Sequence, residues 1–285
     1  MSDRLMARAL DILTSATLKH LRDRWWDEAF TAFLQENLQA RAGNRILDVG
    51  CGTGTAELYL SRLRLSQVSL FGVDLVFERV RQAKEEAAAH NYRARYAAAD
   101  AAALPFAAGV FDSTFCVAVL QHVRDLDRAL SEFARVTRPG GRILAVEPDN
   151  RSRYWFSSVE GGMRAFELGS RFVAEIALAR GDATDAVGPR LPALFVRHGI
   201  EPLAVHVFPV TVSHLGAPPE SVWAARREAV EREIERVNDQ AIRRLGRDFL
   251  KLLERYAEEA RAAGASFVEI QNTLLFATVG QRRDA

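Results

Sequence analysis

Between Arg45 and Gly54 the chain reads RILDVGCGTG: an apolar run, an aspartate, then glycines at alternate positions, Gly50, Gly52 and Gly54. A glycine loop that leaves a strand and opens a helix lets a ligand approach the backbone and offers it unpaired N–H groups, which suits a nucleotide. The spacing narrows the kind of nucleotide. A dinucleotide fingerprint needs Gly-x-Gly-x-x-Gly, its third glycine packing helix against strand, and a phosphate-cradling loop ends in Gly-Lys-Ser/Thr. Neither pattern is met. Charge points the same way, because Asp48 at the strand's end would repel a pyrophosphate laid over the loop and would suit a cation or a set of donors.

S-adenosylmethionine has that complement, an ammonium and a sulfonium with no phosphate. Asp74 ends the next apolar run, SLFGVDL, where a carboxylate can accept both hydroxyls of a ribose. Dehydrogenases place an acid there too, so Asp74 alone does not separate methyl transfer from hydride transfer. The two cysteines, Cys51 and Cys116, form no CxxC pair and no His/Cys cluster at metal spacing, which argues against a zinc site and a disulfide scaffold. Cys51 is a small side chain in a tight loop with no adjacent base to make a thiolate.

The elements that must position these residues follow from periodicity. Leu5, Ala9, Ile12, Leu13 and Ala16, then Trp25, Ala29, Phe33 and Leu34, recur at helical spacing, so two helices are expected over 3–42. Strands at 45–49, 69–75, 94–100, 112–120 and 142–147 alternate with helices at 56–63, 77–89 and 126–137, the last stopped by Pro139, Gly140 and Gly141. Such alternation implies a parallel sheet covered on both faces. Residues 151–198 read as mainly helical, with Asp149 and Asn150 as caps, and 201–212 and 266–280 as late strands. Between those strands, Val230, Ile234, Val237, Leu245, Phe249, Leu252 and Tyr256 keep a helical period. The interleaved charges there, Arg226, Arg227, Glu228, Glu231, Arg232 and Glu233 among them, read as a solvated face laced with i,i+4 pairs.

Taken in order, these segments resemble the class I S-adenosylmethionine-dependent methyltransferases, in the style of the small-molecule, quinone-biosynthesis-like branch. ILDVGCGTG resembles their first motif, GVDL their second and AADAAALPF the adenine segment; FDSTFCVAVLQHV and RVTRPGGRILAVEP resemble the fourth strand and the helix, turn and fifth strand after it. The resemblance implies a Rossmann-like, seven-stranded, mostly parallel sheet with an antiparallel last strand, helices on both faces and the cofactor across the strands' carboxyl ends. It implies one domain: N-terminal helices over 1–42, a cofactor core over 43–148, a helical lid over 149–200, and late strands over 201–285 with a helical insert at 216–264. By family position Asp48, Gly50, Cys51 and Gly52 border the methionine part of the cofactor, Asp74 and Leu75 the ribose, Asp100 and Ala101 the adenine, and Cys116 and Gln121 the methyl group. His122, just after the fourth strand, is the residue placed to act as a general base, with packing as its competing role. Trp25, Trp26, Tyr154 and Trp155 are expected to line a lid over the acceptor, or else to pack as amphipathic core.

The acceptor class is narrowed by what the chain lacks. Base methylation through a cysteine would show Pro-Cys at the fourth strand's end, where this chain has Phe115-Cys116-Val117; methylation of exocyclic amines would show Asn or Asp, two prolines and an aromatic, where it has Leu120-Gln121-His122. Magnesium would need a carboxylate at that strand's end in addition to Asp149 and Asn150, so no metal is expected. Thirty-eight basic against 37 acidic residues leave a net charge of +1, and 48% apolar with 26% charged composition is that of a globular domain without a membrane span, a signal peptide or a nucleic-acid arm. These observations point to a cytoplasmic enzyme with a small organic acceptor. Methylation of RNA or protein through the charged insert, and a non-catalytic cofactor-binding scaffold, remain the alternatives.

Overall fold

A computed structural model describes residues 25–62, 68–180 and 187–284. The first of the two helices expected over 3–42 lies outside the described residues. Within them α1, Glu28–Asn37, starts at Asp27, whose carboxylate accepts the Phe30 N–H at 2.8 Å and so satisfies a donor that the first turn leaves free. The chain then alternates: β1 Arg45–Val49, α2 Thr55–Arg62, β2 Ser69–Asp74, α3 Phe77–Ala89, β3 Ala94–Ala98, β4 Phe111–Val117 and α4 Leu126–Val136. It continues as β5 Thr137–Ser157, α5 Glu160–Arg180, α6 Leu191–Arg197, β6 Ile200–Leu215, α7 Glu220–Arg236, α8 Gln240–Ala263 and β7 Val268–Arg282.

The strands form one sheet in the order β3-β2-β1-β4-β5-β7-β6. β1 pairs in parallel with β2 and β4, β2 with β3, and β4 with β5. β7 runs the other way. Its end lies beside the start of β6, where the Arg283 N–H donates to the Gly199 carbonyl at 3.0 Å, and its start beside the end of β5, where the Ser158 N–H donates to the Val268 carbonyl at 2.9 Å. This is the expected seven-stranded, Rossmann-like sheet with one antiparallel strand. From β1 the chain moves outward through β2 and β3, then returns to the other side of β1 as β4. That reversal puts the carboxyl ends of β1 and β4 at a topological switch point, where open sheets of this kind bind their ligands.

Burial explains why the strands hold. In β1 only Arg45 is exposed, and Ile46, Leu47 and Val49 are covered on both faces, as a central parallel strand requires. α4 contributes Ala129, Leu130, Phe133 and Val136, one face at helical spacing, to a core shared with Leu191, Leu194 and Phe195 of α6 and with Phe111, Ile143 and Ala145 of the sheet. Each such large apolar side chain removed from water contributes about 1.5–3 kcal/mol.

Two segments depart from expectation. Pro139, Gly140 and Gly141 do end α4, but as an irregularity inside β5: Phe111 pairs with Thr137 and Ser113 already with Arg142. At its other end β5 does not stop at Glu147, and Asp149 and Asn150 do not cap a helix. The strand runs on to Ser157 because β7 lies alongside it; the Tyr154 N–H, for example, donates to the Asn272 side chain at 3.3 Å.

The chain, read from its sequence as one domain, groups into two compact units: residues 25–149, 187–208 and 275–284, and residues 150–180 with 209–274. In the second unit Trp223, Tyr256 and Phe267 are buried with Ala165, Leu253, Ala257 and Ala260. Glu269, fully buried, takes the Arg226 guanidinium on both oxygens, at 2.5 and 3.0 Å, and the Tyr256 hydroxyl at 2.5 Å. Arg226 therefore does not belong to the solvated face expected of its segment. Glu228 and Arg232 do, as an exposed i,i+4 pair at 3.5 Å.

Candidate cofactor and active site

The glycine loop holds its shape through β2. The N–H groups of Gly50 and Cys51 both donate to the Val73 carbonyl, at 2.7 and 2.9 Å, and the Gly54 N–H donates to the Cys51 carbonyl at 3.0 Å. Gly50 has φ +80° and its α-hydrogen faces Val119, so a Cβ there would lie 2.3 Å from a valine methyl. Gly52, at φ +56°, faces nothing within 4 Å. The middle of the loop is thus an open backbone surface, as a ligand-cradling loop requires.

Asp74 closes the floor of this surface. Its two oxygens accept the Gly52 N–H at 3.0 Å and the Val76 N–H at 2.8 Å, leaving a lone pair on each for an incoming hydroxyl. Leu75 beside it is 45% exposed although large and apolar, and Asp100 is exposed with one oxygen turned to the Ala102 N–H at 2.9 Å. Ala101 is half-buried next to it. Two separated carboxylates, an apolar side chain and the loop amides fit a nucleoside without phosphates. Among the described residues no set of three His, Cys, Asp or Glu side chains is arranged to hold a metal ion.

Beneath the loop the buried groups are acidic. Asp48 is buried, and both its burial and the neighbouring Asp74 carboxylate push its carboxyl well above the usual carboxylate range. The Cys51 thiol is raised by burial first and then by Glu57, Asp48 and Asp74, so it stays protonated and is no nucleophile.

On the β4 side the sequence-derived set divides. Cys116 is wholly buried in the core and its thiol donates to Glu147 at 3.9 Å; burial, then Glu147, raises it. Cys116 is thus packed in the core with no open surface of its own. Gln121 is half-buried and His122 exposed, both on the short 3-10 turn Leu120–His122. What holds that turn is Glu147, fully buried at the position where β5 passes β4: one oxygen accepts the N–H groups of Val119 and Leu120 at 2.8 and 2.7 Å, the other that of Gln121 at 3.3 Å. Ala118, at φ +56°, is the non-glycine residue that lets the chain leave β4 into this turn.

The aromatic residues expected around the site fall in different units. Trp25 is half-buried, and Trp26 is buried in the first unit, stacked on Tyr59 at 5.4 Å and edge-on to Phe30 at 5.3 Å. In the second unit Tyr154 is 54% exposed, while Trp155 stacks on Phe166 at 5.1 Å.

Comparison with known proteins agrees with this geometry. Residues 47–145 match the family model described as a methyltransferase domain. The chain is 33% identical over 172 residues to a demethylmenaquinone methyltransferase of Mycobacterium marinum, covering 59% of this chain and 68% of that protein. It is 36% identical over 125 residues to the methyltransferase GfsG of Streptomyces halstedii, covering 42% of this chain and 43% of that one. The chain spans about half the length of the first curated relatives it matches. Its fold is similar to that of a candidate methyltransferase of Bacillus halodurans C-125, with a TM-score of 0.57 at 16% identity, over 90% of this chain and 100% of that one. With the switch-point loop, the strand-end carboxylate and two thirds of a curated relative matched, the chain belongs to the class I S-adenosylmethionine-dependent methyltransferases.

Proposed function

We propose that the protein transfers a methyl group from S-adenosylmethionine to an oxygen, nitrogen or carbon nucleophile of a small organic acceptor. The observation that carries this is Asp74, fixed by two backbone donors at the edge of an open glycine loop and free to accept two more hydrogen bonds. S-adenosylmethionine held there would supply an electrophilic methyl group, with the electron pair of the sulfur–methyl bond staying on sulfur. The chain's own work is to align and to keep water out, effects that can supply most of the acceleration of an in-line displacement. Asp74 and Leu75 hold the ribose, Asp100 and Ala101 the adenine, and Asp48 with the loop backbone the methionine end. The Glu147-braced turn presents Gln121 and His122 toward the acceptor. His122, exposed on that turn, takes the proton of an acceptor that must lose one.

A small acceptor is favoured by the balanced charge and by the name of the Mycobacterium marinum relative, which makes a demethylated quinol the first compound to try. No described helix is long and apolar enough to cross a membrane, and we place the enzyme in the cytoplasm. Calorimetric titration with S-adenosylhomocysteine and with NAD tests the donor; binding of NAD alone would overturn it. Methyl incorporation across a panel of quinols, phenols and amines tests the acceptor. Turnover confined to RNA or protein would replace the small-molecule assignment.

A further inference from the structure

Glu57, in the first turn of α2, is 1% exposed, and neither of its carboxyl oxygens has a hydrogen-bond partner. A glutamate at a helix start ordinarily faces water, where the helix dipole favours its charge. This one is turned inward, with its Oε1 2.5 Å from where a Cβ on Gly72 would stand and the Tyr96 ring against the same spot. The only residue type that leaves room for it on β2 is the one present.

The groups around it cannot neutralise its charge. Asp48 faces it from β1 and Cys51 from the loop, and Asp74, from β2, acts on both of these. Tyr92 and Tyr96 face it from the edge of β3, but their protons are committed: the Tyr92 hydroxyl donates to the Gly54 carbonyl at 3.3 Å, which leaves Tyr96 to donate to Tyr92 at 3.1 Å. Among the described residues no basic group acts on Glu57, and the N–H groups of Gly50, Cys51, Gly52 and Gly54 donate to the Val73 carbonyl, Asp74 and the Cys51 carbonyl rather than to it. An ionised carboxylate without donors in such a place is strongly disfavoured, and burial followed by Asp48 raises Glu57 well above the usual range. Burial without a side-chain or basic partner thus favours the protonated form of Glu57, with only its own backbone N–H acting the other way.

We propose that Glu57 is a specificity-determining residue that holds a proton while the site is free and gives it to solvent when a cationic ligand occupies the loop above it. The inference rests on the assignment of S-adenosylmethionine to this loop. The methylated donor carries a sulfonium, an ammonium and a carboxylate, one net positive charge; S-adenosylhomocysteine has lost the sulfonium charge and is neutral overall. An ionised Glu57 favours the first over the second, so the site tightens on donor and loosens on product. The cost is a proton, and the discrimination grows with pH.

The test is to measure the dissociation constants of S-adenosylmethionine and S-adenosylhomocysteine between pH 6 and 8 in the intact chain and in Glu57→Gln. The ratio of product to donor constants is expected to rise several-fold with pH in the wild type, approaching tenfold per pH unit if one full proton leaves, and to rise less steeply in Glu57→Gln, where Asp48 alone keeps a raised carboxyl; an unchanged slope in the variant overturns the role of Glu57. Calorimetry in buffers of different ionisation enthalpy, on the wild type alone, should show proton release with the donor and none with the product. Binding of both ligands with a flat ratio, or equal proton release with each, overturns the role of Glu57 and leaves the methyltransferase assignment standing. Failure of both ligands to bind at any pH overturns that assignment and the inference with it.

Discussion

At the scale of single residues, Gly50 and Gly52 differ in a way that separates folding from binding. Both sit at positive φ, where a side chain costs about 1–2 kcal/mol, but only Gly50 is pressed against Val119. Gly50→Ala should add overpacking of about 1–3 kcal/mol to that strain, and urea denaturation should show the loss directly. Gly52→Ala places its methyl in open space, so stability should fall only by the backbone strain. S-adenosylhomocysteine should nevertheless bind about tenfold more weakly, or 1.4 kcal/mol, because the methyl occupies the surface the ligand needs. Unchanged affinity in Gly52→Ala would remove the loop from the site. Asp74→Ala should likewise weaken binding through the loss of two ribose contacts, and because it also strands the Gly52 and Val76 N–H groups it should lower the urea midpoint as well.

At the scale of elements, Glu147 is the brace between β5 and the turn after β4. Glu147→Ala strands one buried and two partly buried N–H groups, at about 1–3 kcal/mol each before relaxation or water entry, so a loss of about 3 kcal/mol is expected in urea unfolding. A loss under 1 kcal/mol would show that the turn holds without it. The elements themselves were largely legible in the sequence. β1, the loop, α2, β2 and α3 announce themselves through local signals: an apolar run covered on both faces, a glycine cluster, a helical period. What was not legible depends on residues distant in the chain. The segment DNRSRYWF looks like a helix cap and an amphipathic start, and only the neighbouring β7 makes it strand. Glu57 in TAELYLSR looks like an ordinary first-turn acid, because nothing nearby in sequence says that Gly72, on another strand, leaves a hole for it. Cys116 stands out in the sequence as a residue type, yet its place and that of Glu147 follow from the register that sets Cys116 beside Ala145 and brings the end of β5 to the turn. Arg226 was hidden in a charged run for the same reason, since its partner Glu269 lies on β7.

For the molecule as a whole, the buried acids set how stability responds to pH. Glu57 and Asp48 both have folded values raised above those of an unfolded chain, so above the ordinary carboxylate range the native state holds protons that the unfolded state has released. Stability from these groups is fully present below that range and is lost as pH rises toward their raised values, at up to about 1.4 kcal/mol per pH unit for each proton held. The opposite set, Asp127, Glu132, Glu220 and Asp248, is lowered by hydrogen bonds to His198, Arg135, Arg227 and Lys251 respectively. Their contribution is present above the ordinary range and disappears only as acid is added below it, so the two sets act in different windows. Between pH 6 and 8 the urea midpoint of the free protein should therefore fall with rising pH. Glu57→Gln, which keeps the shape and removes the titration, should flatten that slope by the share of one proton and be the more stable chain at pH 8. A midpoint that rises across this window in the wild type, or an unchanged slope in Glu57→Gln, would mean that the carboxyl beneath the glycine loop is already ionised in the folded protein.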